Sequence, residues 1–171
     1  KNVNYESKNV SLYKDDPTSE FYGTLGYLTE VKLRKDLGLN RHFLTPKMLL
    51  RYAPGSMRKE TSGSRLDPIS AFDLNRLNNI NNFETGLTST LGLDYKIKNN
   101  FQDFNFSIAQ VLNEKENKKM SSVSSLDEKM SDLTGSANIK LNKNVNFNYD
   151  FNLDQNYKDI NYSDIGTQLN F

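Results

Sequence analysis

The sequence predicts an all-β chain, an antiparallel up-and-down meander of about eight long strands of the transmembrane-barrel kind. Three observations predict it. Between Phe83 and Ile97 the apolar residues Phe83, Leu87, Leu91, Leu93, Tyr95 and Ile97 hold odd positions, while Glu84, Thr88, Thr90, Asp94 and Lys96 hold even ones. Successive strand side chains point to opposite faces, so this is one strand with an oily and a wet side. At about 3.4 Å per residue it spans roughly 50 Å, against the 5–6 residues common in soluble sheets. Second, long and short connections alternate along the chain, as in outer-membrane barrels with short periplasmic turns and long extracellular loops. Third, mean hydropathy is −0.72 with 25% charged residues, and no run approaches the 18 apolar residues of a transmembrane helix. A barrel wall tolerates that composition because only alternate residues meet lipid.

The elements follow in order. Residues 2–13 alternate weakly through Val3, Tyr5, Val10 and Leu12 and read as a first strand, ended by the turn cluster from Lys14 to Glu20. Phe21, Leu25, Tyr27, Val31 and Leu33 form an apolar row opposite Thr24, Glu30, Lys32 and Arg34. After a short connection at 36–41 containing Gly38, a strand from His42 to Ala53 sets Leu44, Met48, Leu50 and Tyr52 against Thr45, Lys47 and Arg51. Pro46 inside it cannot donate to a ladder, which marks a strand start, a bulge or an edge.

Residues 54–82 form a long polar loop, of a length that usually signals function. After the central strand and a turn at Lys98–Asn100, Phe104, Phe106, Ile108 and Leu112 line up opposite Asn105 and Ser107. A second long polar loop, 113–132, leads to Ala137, Ile139 and Leu141. Past the Asn142–Asn144 turn, Val145, Phe147, Tyr149, Phe151 and Leu153 alternate with Asn146, Asn148, Asp150, Asn152 and Asp154. A connection at 155–159 precedes a last strand from Ile160 to Phe171. The reading treats 1–171 as a single barrel segment with loops 54–82 and 113–132 extracellular. The sequence opens on Lys1 among polar, strand-like residues, so a processed chain or part of a longer one is expected.

Charge is balanced, with 22 basic and 21 acidic residues, so no strong field selects nucleic acid as a partner. Without cysteine, thiolate metal sites and disulfides are excluded, and no cofactor is expected. The lone histidine, His42, near a strand start, reads as an interfacial structural residue. Asp73, Asn75 and Glu84 fall on calcium-loop spacing, but Leu77 and Asn78 stand where a ligand and a glycine belong, which makes the match a coincidence. No catalytic constellation appears, and the chain reads as no enzyme. Trp is absent, so an aromatic girdle falls to Tyr22, Tyr27, Tyr52, Tyr95, Tyr149 and Tyr162.

The polar row holds candidate lumen-facing side chains: Glu30, Lys32, Arg34, Glu84, Asp94, Lys96, Asp150 and Asp154. On the residues alone they solvate a water-filled interior. Arg51, Arg58, Lys59, Arg65 and Arg76, on or beside the 54–82 loop, are the candidate outer-surface contacts for phosphate.

Several stretches carry a resemblance. His-Phe-Leu-Thr-Pro-Lys-Met-Leu-Leu-Arg-Tyr-Ala-Pro-Gly at 42–55, Phe-Asp-Leu-Asn-Arg-Leu at 72–77 and Phe-Glu-Thr-Gly-Leu-Thr-Ser-Thr-Leu-Gly-Leu-Asp-Tyr at 83–95 occur in that order. Phe-Ser-Ile-Ala-Gln at 106–110 and Ser-Leu-Asp-Glu-Lys-Met-Ser-Asp-Leu-Thr-Gly at 125–135 follow. Together they resemble the barrel of the lipopolysaccharide-assembly family LptD, over about residues 22–171. The family's strand motif has Gly where Ala109 stands, and its cysteines have no counterpart here. The resemblance implies a piece of a very large barrel in the outer membrane of a Gram-negative bacterium. It further implies delivery of lipopolysaccharide to the outer leaflet, with lipopolysaccharide, outer-membrane lipid and an LptE-like plug lipoprotein as partners. From the residues alone, a complete eight-stranded anchor or adhesin barrel and a soluble β-sandwich binding module stay open.

Overall fold

The computed structural model describes all residues except 8, 9, 12, 61, 78, 100, 101, 143, 170 and 171. Its strands are β1 (Asn2–Tyr5), β2 (Thr18–Phe21), β3 (Leu25–Glu30), β4 (Leu33–Leu37), β5 (Asn40–Ala53), β6 (Gly86–Lys98), β7 (Asp103–Asn113), β8 (Leu133–Lys140), β9 (Val145–Leu153) and β10 (Ile160–Leu169). Single 3₁₀ turns at Ser70–Phe72 and Ser122–Ser124 interrupt the two long loops.

β3 to β10 form one eight-stranded antiparallel sheet in the order β10-β9-β8-β7-β6-β5-β3, with β4 also on β5. β3 and β4 occupy a single lane. Glu30 faces Lys47 and Leu33 faces Leu44, so the register continues unshifted across the gap. Pro46 makes that gap. Its carbonyl accepts from Val31 N at 3.1 Å, but proline has no N–H to return, and the ladder lapses for two residues.

The first strand differs from expectation. Residues 2–5 do not open the meander; they pair with Thr18–Phe21 in a separate two-stranded sheet. The turn cluster at 14–17 folds this hairpin back on itself before β3 begins. The expected in-phase residues Leu12 and Phe171 lie outside the described residues.

The two faces of the large sheet are distinct. One carries His42, Leu44, Pro46, Met48, Leu50 and Tyr52 of β5, opposite Ile97, Tyr95, Leu93, Leu91, Ser89 and Leu87 of β6. It continues through Phe104, Phe106 and Ile108 to Phe147, Tyr149 and Phe151. Leu91 and Phe147 remain exposed, and no second layer covers this face among the described residues. The other face carries Lys47, Thr88, Thr90, Asp94, Ser107, Thr134, Asn148, Asp150 and Asn152. Among the described residues the sheet is open, with β10 at one edge and β3–β4 at the other, so they do not close an eight-stranded cylinder.

Residues 54–85, referred to below as the strap, leave β5 and return to β6 across the polar face. The strap and the 113–132 loop pack together there, Glu60 N donating to Lys119 O at 2.7 Å. Met57, Leu66, Ala71, Met120 and Leu126 from the loops close over Ala109 and Val111 of β7. The buried apolar cluster therefore sits on the side that alternation marks as wet. Only the half of that face toward the turns stays uncovered by it.

Candidate functional site

The site is the polar face and the strap that covers part of it. The strap begins near Met57, reaches β8 and β9 at Leu66, and comes back over β6, β5 and β3. Thr134 Oγ1 and Asn152 Nδ2 both donate to the Leu66 carbonyl, at 3.0 and 3.2 Å. Thr90 Oγ1 donates to Ala71 O at 3.0 Å. Phe72 lies against the bare backbone of Gly92, and Lys47 Nζ sits 4.7 Å above its ring while pairing with Asp94 at 2.8 Å. Leu74 drops beside Gly26 of β3.

A buried charge cluster pins the returning end. Glu84, just before β6, takes the Arg76 guanidinium in a two-pronged pair through Nε (2.8 Å) and Nη2. Arg51 of β5 approaches the same carboxylate at 3.6 Å and donates Nε to Leu74 O at 2.6 Å and Nη2 to Glu84 O. Asn75 Oδ1 accepts from Glu84 N at 3.1 Å. All three charged side chains are 1–3% exposed. So Arg51 and Arg76, which the sequence offers as outer-surface cations, correct to interior residues. Glu84 is no bare lumen group either. The carboxylate desolvates with its cations, because a buried charge persists only when paired.

The remaining candidates are placed as follows. Arg58 pairs with Glu20 and lies against the rings of Tyr5 and Tyr13, 4.7 and 4.8 Å from their centroids. Lys59 is exposed, and Arg65 is exposed above the Tyr162 ring at 4.3 Å. Glu30 stands on the polar face opposite Lys47 and pairs with Lys32; Arg34 pairs with Asp36. Asp94, Lys96 and Asp150 lie on the same face, Asp150 directly opposite Asp164. Asp154 instead closes the 154–159 turn, accepting from Lys158 N at 2.8 Å and Asp159 N at 3.3 Å. These bonds, the one from Lys158 foremost, hold its carboxyl below the usual range.

His42 lies on the apolar face, with Nδ1 2.7 Å from the Tyr95 hydroxyl. The calcium-spaced Asn75 and Glu84 are taken up by each other and by arginine. Among the described residues no three His, Cys, Asp or Glu side chains gather as a metal site. A cleft of about 340 Å³ opens between the two long loops at the ends of β5, β6 and β7, with Met57, Met120 and Leu126 inside and Glu114 and Lys119 among its polar lining.

The charge cluster escaped the sequence reading, yet its residues were in view. Asn75, Arg76 and Glu84 belong to the stretches that carry the resemblance; what was missing was that they bind one another.

A long antiparallel meander, apolar on one face and polar on the other, with long connections at one end and tight turns at the other, has the pattern of an outer-membrane barrel wall. The family model for LptD, LPS transport system D, matches residues 20–171, and the chain belongs to this family. It is a family of outer-membrane proteins of Gram-negative bacteria that serve lipopolysaccharide transport. No curated protein matches the chain.

Proposed function

We propose that this chain is a sector of the wall of the outer-membrane translocon that delivers lipopolysaccharide to the outer leaflet. It works by enclosing a polar conduit and carries out no chemistry. The observation that carries the reading is the unequal covering of the two faces. Among the described residues the apolar face is bare, which suits acyl chains. The polar face is bare only toward the turns and is roofed by the strap toward the long loops. Lipid outside and water inside are the two media that such a sheet satisfies.

In this reading the long loops are extracellular, and Asp94, Lys96 and Asp150 line the lumen. Lys59 and Arg65 are the strap cations left to meet lipopolysaccharide phosphates. An LptE-like plug lipoprotein faces the strap, where Ile69 and Ile80 are four-fifths exposed and offer it apolar contact.

Photo-crosslinking in living Gram-negative cells tests this. A photoreactive residue at Asp94 or Asp150 should capture lipopolysaccharide or the plug, and one at Leu91 or Phe147 should capture phospholipid or lipid A acyl chains. Adducts of a second protein layer at Leu91 and Phe147, with none of lipopolysaccharide or plug at Asp94 and Asp150, would overturn it.

A further inference from the structure

The β1–β2 hairpin, most of which precedes the residues shared with the family, is docked on both ends of the strap. At the outgoing end, Arg58 is held against Tyr5 and Tyr13, whose rings meet edge to face at 4.8 Å, and it pairs with Glu20 of β2. At the returning end, Lys1 Nζ donates to the carbonyls of Asn79 (3.0 Å) and Asn82 (2.7 Å). Tyr22, immediately after β2, stacks on Phe83 at 5.9 Å. The hairpin is itself closed by Tyr22 N donating to Lys1 O at 2.8 Å and by the Tyr5 and Tyr22 hydroxyls donating to Glu20.

We propose that the β1–β2 hairpin is a clasp: it reinforces the joint between the two ends of the strap, where Arg58 N also donates to Asn82 Oδ1 at 3.2 Å and Asn82 Nδ2 to Arg58 O at 3.1 Å, and its release loosens the outgoing end of the strap. Apart from the Tyr22–Phe83 stack, the clasp contacts exchange readily with water. Cation–π pairs, one ion pair and two lysine bonds can part without leaving an apolar core in solvent. Beneath the strap, Thr134 and Asn152 present hydroxyl and amide groups that water satisfies as well as the Leu66 carbonyl does, while Ala109 and Val111 stay covered by the seated middle of the strap. The hydrophobic contacts of Met57 and Leu66 keep the strap seated while the clasp is shut. The bearing of this device on cargo rests on the transport reading; the clasp itself does not.

Trypsin cleavage of the intact protein folded in detergent micelles, with no lipopolysaccharide added, tests the clasp. Cleavage after Arg65 on the strap is compared with cleavage after the exposed Lys140 at the turn end of β8, and heat-dependent gel mobility reports that the sheet is folded. Removing both rings in Tyr5→Ala/Tyr13→Ala should speed cleavage at Arg65 by about tenfold while Lys140 holds its rate, because opening energies of this size govern local proteolysis. Glu20→Gln, which spares the rings, should give a smaller rise at the same site. An unchanged rate at Arg65 in both variants, or equal acceleration at both sites, overturns the proposal. Because no cargo is present, either outcome leaves the transport reading where crosslinking puts it.

Discussion

Thr134 of β8 donates its hydroxyl to the main-chain carbonyl of Leu66 across 3.0 Å, joining residues 68 positions apart. Asn152 of β9 adds a bond to the same oxygen at 3.2 Å. Two adjacent strands thus grip one carbonyl of the strap, and the grip does not depend on which side chain follows it. Thr134→Val should cost about 1 kcal/mol, since Asn152 still satisfies the carbonyl. Thr134→Val/Asn152→Leu should cost more than the sum of the single changes, because a buried oxygen then loses every partner, at about 1–3 kcal/mol. Urea unfolding in micelles measures both, and strict additivity would refute the shared-acceptor account.

Glu84 is the anion for two buried cations, and its removal is unlike the removal of a surface carboxylate. Glu84→Gln leaves Arg51 and Arg76 buried without a counter-charge and should destabilise by about 3–5 kcal/mol. Replacing a pair together, as in Arg76→Leu/Glu84→Leu, should be milder than Glu84→Gln, because only Arg51 is then left charged. The same urea series checks the order of the two variants; a milder Glu84→Gln would mean that water reaches the cluster.

The sheet was legible because its signal is strictly periodic. From Leu87 to Ile97 and from Val145 to Leu153 the apolar residues that alternation assigns to one side do share a face. Alternation says which side is polar, but not what lies on it. The strap contributes few apolar residues, spaced irregularly through Met57, Leu66, Ala71, Phe72 and Leu77, so no period announces that they fold back over β7. Ala109 and Val111 were the available hint, two apolar residues in the polar phase of β7. The hairpin was misread for a different reason: β1 and β2 are four residues each, too short for alternation to assign a partner.

Two glycines under the strap should respond unequally to the same change. A Cβ on Gly92 would stand 2.7 Å from the Phe72 ring and 2.9 Å from the Ile108 carbonyl, and the carbonyl belongs to the ladder. Gly92→Ala should therefore cost about 1–3 kcal/mol, and trimming Phe72 should not restore the loss. At Gly26 the crowding atom is the far end of Leu74, a side chain 46% exposed and able to turn aside. Gly26→Ala should cost less than about 1 kcal/mol. Thermal or urea midpoints of the two variants decide, and equal losses would contradict the packing.

Tyr22 and Glu20 give the clasp a pH window. Burial pushes the Tyr22 phenol up from 10.0 to about 12, with its bond to Glu20 adding to the shift. Burial also works to raise the Glu20 carboxyl, but the Tyr22 hydrogen bond and the Arg58 charge outweigh it and hold the carboxyl below its ordinary 4.5. The raised tyrosine contributes stability below pH 10.0 that is lost as pH rises through about 12. The depressed carboxyl contributes above 4.5, and that stability is lost as pH falls through its lower folded value. Ultraviolet titration of the protein minus that of Tyr22→Phe should show one phenol ionising near pH 12. Ionisation near 10 would mean that Tyr22 is neither buried nor bonded to Glu20.

Ser107 and Ile108 are neighbours at the middle of β7 and point to opposite faces, so they lie at the same depth in different surroundings. Ser107 stands opposite Asp94 on the polar face; Ile108 stands opposite Leu93 on the apolar one. A lysine at Ser107 meets water and the Asp94 carboxylate. A lysine at Ile108 meets acyl chains, which costs a barrel about 2–4 kcal/mol near the bilayer midplane. Ser107→Lys should insert into liposomes as the parent does, whereas Ile108→Lys should lower the folded fraction read from heat-dependent gel mobility. In micelles the difference should shrink, because a thin detergent layer lets the long side chain reach water. Equal insertion of the two variants would mean that the Leu93–Ile108 face does not meet lipid, and the barrel-wall assignment of β6 and β7 would fail with it.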